Sequence, residues 1–232
     1  MTVEAISRRF RRRIFGSAFH SHAYMMMSPR MTIVSQKPPD GRQARSQRTR
    51  ASVARAMLDC IREGNLRPSA RQVAERAGVS TRAVFRHFEN MEELFDEATR
   101  IHLNTVAPKL PAADYSGTPT QRIDAFTEYW AIFFEHAKPV WKSSQLASPF
   151  SPTLQGSEKW LHAVVEQQLK ECFSLEFKAM PPPQRKRRQQ ILLASIGHNY
   201  WAELRDHQEL SIADSKRTIK EALRTLLAPL PT

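Results

Sequence analysis

The stretch Ser69–Phe88, SARQVAERAGVSTRAVFRHF, leaves the chain few ways to fold locally. Ser69 and Gln72 have the S-x-x-Q spacing of a capping box, which satisfies the free N–H groups of a helix start. Val73, Ala74 and Ala77 fall on one face at helical spacing. Gly78 is placed to stop that helix in the left-handed region. Val79 plugs the junction, and Ser80 caps a second helix through its hydroxyl. Val84 and Phe88, four apart, give the second helix a buried side. Arg82 and Arg86 occupy its other side, with Phe85 between them. A cationic helix held by a packed first helix suits entry into a DNA major groove. The same spacing also describes an ordinary helical hairpin with a solvated arginine face, and spacing alone does not choose.

The run Ala77–Ser80 (AGVS), the ending Phe85–Phe88 (FRHF) and the acidic-hydrophobic Glu92–Phe95 (EELF) occur in this order. Together they resemble the helix-turn-helix of the TetR family of bacterial transcriptional regulators. The family usually has Tyr at the position of Phe85 and often has Lys near Met91. The resemblance implies DNA contacts from Arg48, Ser69, Ser80, Thr81, Arg82, Ala83, Phe85, Arg86 and His87, with His87 near phosphate. The alternative for His87 is packing.

Seven glycines in 232 residues, many Ala, Leu, Arg and Glu, and no sustained period-two pattern predict an all-α chain. That length buries a sizeable core. The formal net charge is +12, and its location says more than its size. Residues 1–50 hold eleven Lys/Arg against two acids, residues 51–110 nine against eight, and residues 111–232 fifteen against thirteen. The excess precedes the helix-turn-helix, where a basic arm favours phosphate backbone without choosing a sequence. Arg42, Arg45, Arg48 and Arg50 are the nearest members of that arm. Cys60 and Cys172 form no disulfide framework and read as small core residues. No apolar run approaches the roughly 20 residues that span a bilayer. A reduced, cytoplasmic setting with no membrane partner is expected.

Residues 1–45 read as a basic, disordered extension, or as residues upstream of a start at Met25, Met26, Met27 or Met31. Ser7-Arg8-Arg9 has a twin-arginine pattern, but His20 and His22 interrupt the apolar region an export signal needs. The first helix is expected over Ser46–Glu63, with Val53, Met57 and Ile61 as its stripe and Gly64 ending it. Residues 46–90 form the expected DNA-binding domain and 91–232 a helical ligand-binding and dimerisation domain. A fourth helix starts at Asn90, where Asn90 and Glu93 repeat the capping spacing, and stops before Pro108. Thr118, Pro119 and Gln121 start an aromatic helix that Pro139 is expected to interrupt. Further helices are expected over Ser157–Phe177, through Ile191–Leu204, and from Ser211 to Pro229.

No Gly-rich phosphate loop, H-E-x-x-H or G-x-S-x-G elbow occurs. His162 and His198 have no partner at metal-ligand spacing. No catalytic residue, metal or cofactor is expected. The RKRR run Arg185–Arg188 reads as a solvated turn. The resemblance implies a C-terminal ligand cavity and a dimer built by the last two helices. On that reading Trp130, Phe133, Trp141, Trp160 and Trp201 line a site for a small apolar effector, although helically spaced aromatics also make plain core. Ile196, Tyr200, Ile219, Leu223 and Leu226 face the second copy. The expected function is a dimeric repressor on a palindromic double-stranded DNA operator, released by that effector. The alternative is a helical enzyme or ligand carrier with an incidental basic face.

Overall fold

The computed structural model describes residues 41–112 and 115–228. These form ten α-helices with short 3-10 and π segments, and no strand occurs among the described residues. The arginine cluster at 8–13, the Met25–Met27 run and Pro229 lie outside them. The chain divides into two compact units, and it passes between them after Ala107, inside one helix after His136, and inside another after Gln155.

The first unit includes residues 41–107 and 137–155. Its helices are α1 (Gly41–Arg62), α2 (Ala70–Ala77), α3 (Thr81–His87) and α4 (Met91–Val106). The stripe Val53, Met57 and Ile61 is buried as expected. The helix nevertheless begins at Gly41, not Ser46. Between these positions Gln43, Ala44 and Arg45 favour helix, but no buried apolar residue marks the start. Arg42 and Arg45 therefore stand on the same helix as Arg48 and Arg50, where a disordered extension was expected. One core joins α1 to Val73 and Ala74 of α2, Val84 of α3, Phe88, and Leu94, Phe95 and Ala98 of α4. The packed unit thus extends past residue 90, the expected domain boundary. Val140 and Leu154 complete the core, and Ser143 Oγ donates to Leu66 O at 2.7 Å.

The second unit includes the described parts of 108–136 and 156–228. Helix α5 (Pro119–Ala147) runs unbroken through Pro139, against expectation. A mid-helix proline removes one hydrogen bond and costs about 3 kcal/mol. Buried residues on both sides of it, Phe133, Phe134, Ala137 and Val140, offset that cost. After α5 come α6 (Pro152–Cys172), α7 (Ser174–Ala179), α8 (Pro182–Ile196), α9 (His198–Ala202) and α10 (Ile212–Leu227). The expected single helix through Ile191–Leu204 is two. The chain leaves the helix at Gly197 (φ −76°, ψ 170°), whose carbonyl then accepts from Trp201 N at 3.0 Å. Periodicity did not show the break, because Leu192, Ile196, Trp201 and Leu204 are buried across it. Trp201 Nε1 and Arg205 Nε both donate to Glu135 Oε1, at 2.8 and 2.9 Å, and bind this segment to α5. Arg122 of α5 and Glu176 of α7 form a largely buried ion pair.

Candidate nucleic-acid interface

The local chemistry of Ser69–Phe88 produces the anticipated geometry. Ser69 Oγ accepts from Gln72 N while the Gln72 side chain accepts from Ser69 N at 2.9 Å, completing the capping box. Gly78 takes φ 67°, ψ 32°, and its N–H returns to Ala74 and Glu75 carbonyls. Ser80 Oγ accepts from Ala83 N at 3.1 Å. Val84 and Phe88 are buried at 0% and 1% exposure, so one side of α3 is fixed in the core.

Its other side faces solvent. Thr81, Arg82, Phe85 and Arg86 are exposed, and Ala83 and His87 are partly so. Phe85 is 49% exposed. The exposed set lies on one face of two helical turns, a width that matches a groove-reading helix. Arg48 is exposed on α1, with its Nε held by Ala44 O at 3.3 Å. Burial beside Arg86 and Arg50 lowers the His87 pKa from its usual 6.5, so the imidazole is neutral at neutral pH. Ser69 spends both its N–H and its hydroxyl proton on Gln72 Oε1, which leaves it no donor for phosphate. Ser80 keeps its hydroxyl proton available.

A clamp that no local sequence pattern marks surrounds Arg50. Its guanidinium donates to the carbonyl of His87, pairs with Glu93 Oε1 at 2.7 Å, and lies 4.1 Å from the centre of the Phe88 ring. Glu93 Oε2 accepts from Glu89 N at 2.7 Å, and Asn90 Oδ1 accepts from Glu93 N at 2.8 Å. Arg50 and Glu93 are 43 residues apart, so local periodicity carries no signal of the pair.

In the second unit Trp130, Phe133 and Trp201 are buried at 3%, 4% and 1%, within a set of ring contacts that includes Phe126, Phe134 and Phe173. Trp160 is partly exposed. Trp141 belongs to the first unit, so the five aromatics are not one cluster of one unit. Ile196, Ile219 and Leu223 are buried within the single chain at 1%, 4% and 0%, against their expected place on a dimer face. Tyr200 and Leu226 are partly exposed. Cys60 and Cys172 are free and buried, and burial raises both thiol pKa values, which fits core residues. Among the described residues no His, Cys, Asp or Glu cluster is arranged to hold a metal, and no helix is long and apolar enough to cross a membrane.

Fold and site together define a helix-turn-helix DNA-binding protein with an all-helical body. Residues 61–98, which hold the helix-turn-helix, match the family described as bacterial regulatory proteins, tetR family. A crystal structure of a transcriptional regulator from Rhodococcus sp. Rha1 has a similar fold, with a TM-score of 0.59 at 20% identity. The match covers 77% of this chain and 95% of that one. No curated protein matches the sequence.

Proposed function

We propose that the chain is a dimeric, effector-responsive repressor that acts in the cytoplasm on a palindromic operator. The observation that carries the reading is the α3 face: Thr81, Arg82, Phe85 and Arg86 stand in solvent while Val84 and Phe88 fix the opposite side. A rigid helix with exposed arginines has both parts of groove recognition, a charge for phosphate and a fork for guanine. A second copy related by two-fold symmetry would read half-sites roughly 34–36 Å apart, or a multiple of that.

The effector is a small, mainly apolar molecule, and the aromatic second unit supports that choice. Thr127 Oγ1 and Trp130 Nε1 lie three residues apart on α5, buried, with no hydrogen-bond partner among the described residues. Buried polar atoms favour a partner, so an apolar body bearing one hydrogen-bonding group fits better than a pure hydrocarbon. The direct test is a gel shift of the purified chain on DNA flanking its own gene, with a thermal-shift panel of small aromatic compounds in parallel. A specific shift, relieved by a compound that also raises the unfolding temperature, supports the whole reading. No shift on any flanking fragment removes it.

A further inference from the structure

We infer that Arg50 is a positioning residue for sequence recognition, and not one of the phosphate-binding arginines its place in the basic segment suggests. The inference rests on the DNA-binding reading above. Three contacts engage the Arg50 side chain, which stays 33% exposed. One edge of the guanidinium donates to His87 O, in the last turn of α3. The other pairs with Glu93 Oε1 at 2.7 Å, in the first turn of α4. Its plane lies over Phe88, the buried residue that ends α3, with Cζ 4.1 Å from the ring centre.

Each contact fixes the end of the recognition helix. The last carbonyls of a helix have no partner within it, and a cation there is favourable. Phe88 leaves the helix at φ −135°, ψ 131°, so the chain turns away at once and α3 has only seven residues. So short a helix has little stability of its own. Its orientation is set by what holds its two ends. Ser80 holds the start, and Arg50 holds the finish. Glu93 joins the same joint to α4, because it also accepts from Glu89 N and is itself capped by Asn90. Glu93 at 2.7 Å sets an opposite charge against Arg50 before DNA arrives.

The charge-only reading and the positioning reading predict opposite results for Glu93→Gln. If only net charge matters, loss of an acid beside the interface tightens binding to every DNA. If the joint orients α3, loss of the pair weakens binding to the preferred DNA alone. The experiment selects a preferred duplex from a randomised library with the wild-type chain. It then measures affinity over a salt series on that duplex and a scrambled one, for wild type, Arg50→Leu, Arg50→Lys and Glu93→Gln. Circular dichroism melts show that each variant is folded at the assay temperature.

The expected result is a loss of about tenfold or more on the selected duplex for Arg50→Leu, in line with misplacing a groove contact. The loss is smaller but of the same kind for Glu93→Gln. Affinity for the scrambled duplex stays within about twofold, and the salt slope is unchanged, because no phosphate contact is lost. Lysine restores the charge without the flat, two-edged fork, so Arg50→Lys recovers only part of the loss. The inference is overturned if Arg50→Leu weakens both duplexes equally and reduces the salt slope by about 0.9, the signature of one phosphate contact. It is equally overturned if Glu93→Gln binds the selected duplex as well as wild type or better. Should Arg50→Leu melt below the assay temperature, the near-isosteric Glu93→Gln decides alone. A wild-type chain that selects no sequence at all fails the DNA-binding reading itself, before any variant is compared.

Discussion

Arg82 and Arg86 stand one turn apart on α3, exposed and without an ion pair among the described residues. Loss of a bidentate guanine contact costs about 1–3 kcal/mol and relaxes one base position. Of Arg82→Ala and Arg86→Ala, at least one is expected to show that loss on the preferred duplex and not on a scrambled one. Phe85 offers a ring without a hydroxyl beside them, half-exposed. Phe85→Tyr is expected to tighten both DNAs by a similar factor in the same titration, since a phosphate contact carries no sequence. Asp96 tests electrostatics away from DNA. Burial, with Glu92 and Glu93 nearby, raises its pKa from 3.8 to about 6. The folded state then holds this proton more tightly than the unfolded state does. Its destabilising effect is absent below about pH 4, grows between 4 and 6, and is complete above 6. Asp96→Asn should therefore stabilise the chain above pH 6 by on the order of 1 kcal/mol, a figure reduced for its partial solvation. It should do nothing near pH 4. Thermal melts across that range check the sign.

At the scale of elements, helices α2 and α3 were readable because their ends are written in local chemistry. Ser69, Gln72, Gly78 and Ser80 each act within a few residues of themselves, and each does what its type and spacing imply. Gly78, at φ 67°, holds a left-handed conformation that strains any side chain; Gly78→Ala should lower stability by about 1 kcal/mol or more. Ser69→Ala should cost about 1 kcal/mol through the lost cap. Denaturant melts measure both. Elements defined by longer-range effects were read less well. The first turn of α1, from Gly41, has no buried residue to mark it. Pro139 fails to break α5 because tertiary burial outweighs a local preference. Gly197 breaks a helix whose apolar period continues on both sides. The Arg50 clamp depends on a pairing across 43 residues, which no window of sequence contains.

For the whole molecule, burial within one chain changes how a dimer is to be tested. Leu223 is 0% exposed, so Leu223→Glu places an unpaired charge in the core and should destabilise the fold by several kcal/mol, on the order seen for buried charges. That variant therefore does not separate monomer from dimer. Ile191 on α8 is an apolar residue 44% exposed. If the last helices pair with a second copy, Ile191→Glu should give a monomer by light scattering with its melting temperature nearly unchanged. Effector and operator must also oppose each other reciprocally: a compound that releases DNA binds more weakly, by the same factor, when DNA is present. The account stands or falls on whether the α3 face reads DNA. The most direct measurement is a titration of wild type and an Arg82→Ala/Arg86→Ala double variant against a duplex selected by the wild-type chain and its scrambled control. The predicted result is tight, selective, salt-dependent binding by wild type, with the double variant folded and its preference for the selected duplex gone. Equal preference in both proteins would contradict it, because recognition would then lie somewhere other than on α3.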